Sequence, residues 1–148
     1  MKPIFVILFL LLAVTGFSQN KKSKGAPVVS AFDQKLNAAL NLVASEQYEN
    51  AGVAFEELLK SEPGNANVNY YYGETIIKDY YSDTLSNSMK EMISKADDLF
   101  RKGLQKDSLN KLNEVGLGAV ILILKADTIA ADKHFSKAEA SIPFPLMP

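Results

Sequence analysis

Three Ala-x-x-x-Phe pairs punctuate this chain, Ala51/Phe55, Ala96/Phe100 and Ala131/Phe135, the members of each pair four residues apart. Pro63 and Pro143 each follow their phenylalanine by eight residues, and Ser108 takes that place in the middle copy. Gly73 and Gly118 stand 45 residues apart, as do Ala51 and Ala96. Self-similarity at such a period marks a chain built from stacked supersecondary units, and it narrows the choice of folds more than composition can.

The stretch YENAGVAFEELLKSEPGN, residues 48–65, shows what one unit contains. Tyr48, Ala51, Phe55, Leu58 and Leu59 recur at helical spacing, the stripe of a helix that buries one face. Ala51 and Gly52 predict close approach by a neighbouring helix. Pro63-Gly64 then ends the segment, because proline disfavours helix in the residue before it and glycine frees the turn. A length of 148 residues, with 47% apolar and 22% charged, suits one globular domain. The net charge of −1 gives no electrostatic reason to propose nucleic acid as a partner. The absence of cysteine removes disulfides, thiolate metal sites, cysteine nucleophiles and the residue a bacterial lipid anchor requires.

These residues resemble the tetratricopeptide repeat family, whose unit of about 34 residues carries W-x2-L-G-x2-Y, then A-x3-F and a closing proline. One copy runs from Phe32 to Asn65, with Ala39 where the family prefers glycine. A second, from Ala66 to Asn110, has Tyr72-Gly73 for Leu-Gly and Ile76 for the later aromatic. A third, from Lys111 to about Pro145, has Leu117-Gly118 and Ile121. No copy has the tryptophan. The resemblance implies an all-α, right-handed α-solenoid of three helix-turn-helix repeats at about 32–65, 66–110 and 111–145. Glycine or alanine in each first helix lets the second cross closely, and each phenylalanine plugs the space between successive hairpins.

The middle copy is longer. Between its first-helix glycine and second-helix alanine lie 22 residues, against 11 in the first copy and 12 in the third. The excess falls in KDYYSDTLSNSMKEM, where Ser88-x-x-Glu91 has the form of a capping box and predicts a helix starting near Met89. One hairpin should therefore project from an edge of the stack. Tyr80, Tyr81 and Met89 are its candidate recognition tip; the bland alternative is a tolerated surface insertion.

The first residues read as a leader. MKPIFVILFLLLAVTGFSQ has Lys2, an apolar run from Ile4 to Val14 and small residues around Gly16-Phe17-Ser18. That is the pattern of a secretory signal peptide, with cleavage expected after Ser18, and the run is short for a span of about 20 apolar residues. The mature chain should carry no stable membrane span. Residues 19–31 are polar and basic, a flexible lead into a domain at 32–145, with 146–148 a tail or the start of a further repeat.

Nothing in the pattern asks for catalysis, a metal or a cofactor. His134 is the only histidine. Its neighbours three and four residues away are Ala130, Ala131, Lys137 and Ala138, so its own helix offers no second ligand or relay partner. Glu56-Glu57 and Asp97-Asp98 are adjacent, hence splayed around a helix and read as solvated. Gly116-x-Gly118 lies inside a helical pattern instead of after a strand, which argues against a phosphate loop. The expectation is an exported, non-enzymatic interaction module, a scaffold or adaptor of the bacterial envelope, periplasm or exterior, with a protein or peptide partner. The alternative is a purely structural N-terminal segment of a longer secreted repeat protein. The resemblance implies a concave surface lined by Leu36, Leu40, Val43, Tyr70, Glu74, Ile77, Lys78, Val115 and Ala119. The stretch VGLGAVILIL, from Val115 to Leu124, is apolar almost all round, so its helix must be covered on every side. Self-association or further repeats at the C-terminal flank would supply the cover.

Overall fold

A computed structural model describes residues 29–85 and 88–140. The expected leader with its cleavage site, residues 19–28 of the lead, and the segment containing Pro143 lie outside the described residues. The described chain is six helices: α1 (Ala31–Ala44), α2 (Tyr48–Ser61), α3 (Ala66–Ser82), α4 (Met89–Lys106), α5 (Lys111–Lys125) and α6 (Thr128–Ala140). No strand occurs among the described residues.

Short polar side chains set the starts. Ser30 and Asp33 form a reciprocal capping box at α1, Asp33 N donating to Ser30 Oγ at 3.0 Å and Ser30 N to Asp33 Oδ2 at 3.3 Å. Asn65 and Asn110 cap α3 and α5 alike, accepting from Val68 N and Asn113 N at 3.1 Å. The turns leading into them also match: Asn65 N donates to Glu62 O and Asn110 N to Asp107 O, each at 3.1 Å. Ser108-Leu109 thus makes the bend that Pro63-Gly64 makes, which explains how the middle copy manages without proline. Gly64 does not use a left-handed φ. Its missing Cβ instead admits the stem of Lys106, whose carbons would lie 3.2 Å from one. The capping box expected at Ser88 is not made: α4 starts at Met89, but Ser88 forms no side-chain cap.

Successive helices pack antiparallel in pairs and in series, α1 on α2, α2 on α3, and so on to α6. In addition the backbones of α1 and α3, and of α3 and α5, come close, whereas among the described residues those of α2 and α4, or of α4 and α6, do not. The first helices of the pairs therefore form a closed inner layer, and the second helices splay apart outside it. The extra length of the middle pair is shared out. Counted from the small packing residues, α3 gains four residues at its end, α4 four at its start, and the turn three, relative to α1–α2. Four residues is about one helical turn, so each helix keeps its buried face in register while the hairpin grows by a turn.

The core runs between the layers. Phe55 and Phe100 are 0% and 1% exposed, and Ala39, Ala51, Leu58, Val68, Ile93, Ala96, Leu117 and Val120 surround them. Phe100 lies between two glycines of different pairs. A Cβ on Gly73 of α3 would stand 2.6 Å from its Cε1, and one on Gly116 of α5 would stand 2.5 Å away. Phe55 stacks on Tyr72 of the next pair with centroids 6.1 Å apart. Phe135 fills the corresponding place on Gly118 but is only partly buried. Asn113, fully buried, donates from Nδ2 to Ala66 O at 2.9 Å and ties the start of α5 to the start of α3.

Candidate functional site

With about 3.6 residues per turn, Tyr70, Glu74, Ile77 and Tyr81 fall within a sector of roughly 60° on α3. Tyr72, Thr75, Ile76 and Asp79 occupy the opposite side. The second set lies beneath α2 and α4, and the first on the other side of α3. The same register holds Leu36, Leu40 and Val43 on α1, and Val115 and Ala119 on α5. Leu36, Leu40, Val43, Tyr70 and Ile77 are partly buried against the core, with their remaining surface open. Val115 is 40% exposed and Ala119 is partly buried. Two further members belong here, Leu112 at 37% and Leu122 at 38% exposure. The register that carries Val115 and Ala119 reaches both, at three residues before and seven after Val115.

The inner face is thus an apolar surface three helices wide, and its charge is nearly cancelled. Glu74 accepts from Lys78 Nζ at 3.0 Å along α3. Tyr70 packs its ring near Phe100, with centroids 6.0 Å apart, and burial followed by the Glu74 charge pushes its hydroxyl up from the ordinary tyrosine range.

The expected recognition tip divides. Tyr81 is 59% exposed and extends the stripe on α3. Tyr80 is partly buried and packs against the core. The two rings stand 5.1 Å apart. The side chain of Met89 lies outside the described residues. Leu85, in the turn, is 98% exposed and joins Tyr81 as a second apolar group there, one the sequence pattern does not single out.

On the outer side the splayed second helices leave a cleft of about 260 Å³ between α2 and α4, floored by α3. Glu56, taken from sequence as simply solvated, is part of a cluster here. Tyr72 donates its hydroxyl to Glu56 Oε1, and Lys95 Nζ lies 2.6 Å from the Tyr72 hydroxyl and 3.3 Å from Glu56 Oε1. The Tyr72 hydroxyl, then Lys95, holds the Glu56 carboxyl below its usual range. Burial first, then the bond to Glu56, raises Tyr72; its hydroxyl in turn raises Lys95. These shifts lock each group in its ordinary charge state, which is the reverse of what a nucleophile or general acid needs.

His134 also acquires a partner that its own helix does not offer. Its Nδ1 lies 2.6 Å from Glu114 Oε2 of α5, and Lys137 Nζ lies 3.7 Å from the other carboxylate oxygen. Glu114 is 9% exposed, so the imidazole and the Lys137 ammonium satisfy a carboxylate held largely out of water and join α5 to α6. Asp97 is likewise paired, with Arg101 Nε at 2.6 Å. Among the described residues no group of three or more metal-ligating side chains converges, and no helix is long and apolar enough to cross a membrane. No protein-family model matches the chain, and no curated protein matches it.

Proposed function

We propose that this chain is a three-repeat, tetratricopeptide-like solenoid, exported from the cytoplasm, that binds a protein or peptide partner along its inner face. The observation that supports it best is the stripe Leu36/Leu40/Val43, Tyr70/Ile77/Tyr81 and Leu112/Val115/Leu122. It continues over three adjacent first helices with one charge pair, Glu74–Lys78, beside it. Exposed apolar surface of this continuity is a mark of interaction sites, whereas scattered single residues are not. Tyrosine and branched aliphatic side chains at helical spacing suit an amphipathic helix laid into a groove. Export rests on the leader-like first residues alone.

The test places a photo-crosslinking amino acid at position 122, on the inner face, and at position 98, on the outer. The protein is expressed with its leader, and crosslinks are compared in envelope fractions. A discrete adduct at 122 that is absent at 98, and lost in Val115→Glu/Leu122→Glu, is expected. Equal adducts at both positions would refute the reading. A second reading, a structural segment without its own ligand, draws on Phe135, which stays partly exposed where Phe55 and Phe100 are sealed. It predicts that no adduct forms at 122 while one forms at position 129.

A further inference from the structure

Asp83-Thr84-Leu85, Asp107-Ser108-Leu109 and Asp127-Thr128-Ile129 repeat one triplet: an aspartate, a hydroxyl residue and a branched aliphatic. Of the eight aspartates in the chain, these three alone precede serine or threonine, and leucine or isoleucine follows each time. The triplets fall at consecutive junctions, α3–α4, α4–α5 and α5–α6, and all nine residues are exposed. Leu85, Leu109 and Ile129, at 98%, 78% and 75%, are the most exposed large apolar side chains among the described residues. One exposed leucine is ordinary. Three such side chains at the same place in the same triplet are a pattern.

Turn chemistry accounts for the aspartates and for nothing after them. Asp83 and Asp107 end α3 and α4 in similar conformations, with φ −144° and −137° and ψ 82° and 92°. Each Oδ1 accepts from the backbone N–H two residues on, at 3.2 Å. Asp127 Oδ1 accepts from Ala130 N at 2.9 Å and caps α6. The α2–α3 junction is the internal control, since Glu62-Pro63-Gly64-Asn65 makes the same bend as Asp107-Ser108-Leu109-Asn110. Gly64 holds the place of Leu109 there, so the bend asks for neither the hydroxyl nor the aliphatic side chain. The hydroxyls also differ in what they do. Those of Ser45, Ser61, Thr75 and Ser82 donate to carbonyls of their own helices, which among the described residues those of Thr84, Ser108 and Thr128 do not.

We infer that Thr84, Ser108 and Thr128 are acceptors of O-linked sugar, chosen by a transferase that reads the aspartate before the hydroxyl and the aliphatic side chain after it. The inference rests on the export proposed above, which decides the donor. Nucleoside triphosphates stay in the cytoplasm, so the group available outside it is a sugar carried on a membrane polyprenyl diphosphate. The hydroxyl oxygen attacks C1 of that sugar and the bond from C1 to the diphosphate oxygen breaks. The hydroxyl proton passes to a base of the transferase, and the polyprenyl diphosphate leaves. The charge agrees with this choice. A phosphate would set about −1.5 to −2 beside each aspartate, a repulsive arrangement, whereas a neutral sugar adds no charge and its C–H face can cover the leucine or isoleucine. Sugar is bulky and suits exposed turns. The junctions are at the ends of the helices, so the inner face stays open.

The test purifies the protein from the envelope of the cells that encode it and reads its intact mass and its peptides by mass spectrometry. Electron-transfer fragmentation places each added group. Whole-sugar increments are expected on Thr84, Ser108 and Thr128, and none on Ser45 or Ser136, which are exposed but follow Ala44 and Phe135. Asp107→Asn keeps an Oδ1 to accept from Leu109 N, so the turn and the melting temperature should hold. It should nonetheless lower the occupancy of Ser108 about tenfold or more, the discrimination worth one charge-assisted contact, and leave Thr84 unchanged. Leu109→Gly, which copies Gly64, should act likewise, whereas Ser108→Thr should keep the sugar. Phosphate on these hydroxyls, equal sugar on Ser45 or Ser136, or full occupancy of Ser108 in Asp107→Asn would overturn the inference. A bare mature chain beginning at Gln19 would overturn it and leave export standing. Full-length, unmodified protein in the cytoplasm would overturn both.

Discussion

Gly73→Ala sets two magnitudes against each other. Alanine in the interior of α3 should favour the helix by about 0.8–1.0 kcal/mol over glycine. Packing opposes it. The new Cβ would lie 2.6 Å from Phe100 Cε1 and 2.7 Å from Cζ, well inside contact distance for a rigid ring. The ring cannot retreat, because Gly116 presses it from the next pair just as closely and it is 1% exposed. Overpacking costs about 1–3 kcal/mol, and a ring held on both sides puts it in the upper part of that range, about 2–3 kcal/mol, so the expected net loss is about 1–2 kcal/mol. Gly52→Ala supplies the internal control. Its Cβ would stand 3.4 Å from Tyr72, an ordinary contact, so the propensity gain is unopposed and stability should rise by about 0.5–1 kcal/mol. Urea denaturation followed by far-ultraviolet circular dichroism measures both. Phe100→Leu in the Gly73→Ala background should recover part of the loss, a coupling of about 0.5–3 kcal/mol between residues in contact. Gly73→Ala as stable as the parent protein would refute the wedging of Phe100 between two pairs.

Phe55→Ala and Phe100→Ala should each cost about 3–5 kcal/mol in the same assay, and Phe135→Ala clearly less, because only the first two are sealed on both sides. Ala126 ends α5 with a φ of 51°, so Ala126→Gly should stabilise by about 1 kcal/mol and raise the melting temperature by roughly 3–6 °C. Because Glu56 is depressed in the folded state by Tyr72 and Lys95, its contribution is present above the unfolded value near 4.5 and is lost as pH falls through the folded one. Glu56→Gln should flatten that acid limb in a series of melts against pH, and an unchanged limb would show that the cluster is not its source. Mass spectrometry of envelope material should find a mature chain beginning at Gln19; full-length protein in the soluble cytoplasm would count against export.

What could be read in advance divides by the distance over which the physics acts. Helix faces are set within a few residues, so the stripe around Phe55 was legible from spacing alone, whereas the start of α4 at Met89 was expected from a capping box that Ser88 does not make. Pairings such as Glu56 with Tyr72 and Lys95, or Glu114 with His134, span 16 to 39 residues and depend on which helices meet, so no local pattern announces them. The candidate surface falls between these cases. Tyr81 could be told from Tyr80 by register, since only Tyr81 continues Tyr70, Glu74 and Ile77. On α5 the register gives no such help, because nearly every position from Val115 to Leu124 is apolar and a period cannot be seen in a uniform run. The glycines carry the information there. Gly116 and Gly118 mark where the rings of Phe100 and Phe135 press on the helix, one from each neighbouring side. At about 100° per residue those two positions bound an arc of roughly 160°, and Leu112, Val115, Ala119 and Leu122 all fall inside it. A helix apolar all round has therefore not left its open face to chance. The two residues without side chains fix where its neighbours sit, and the arc between them is the part left open.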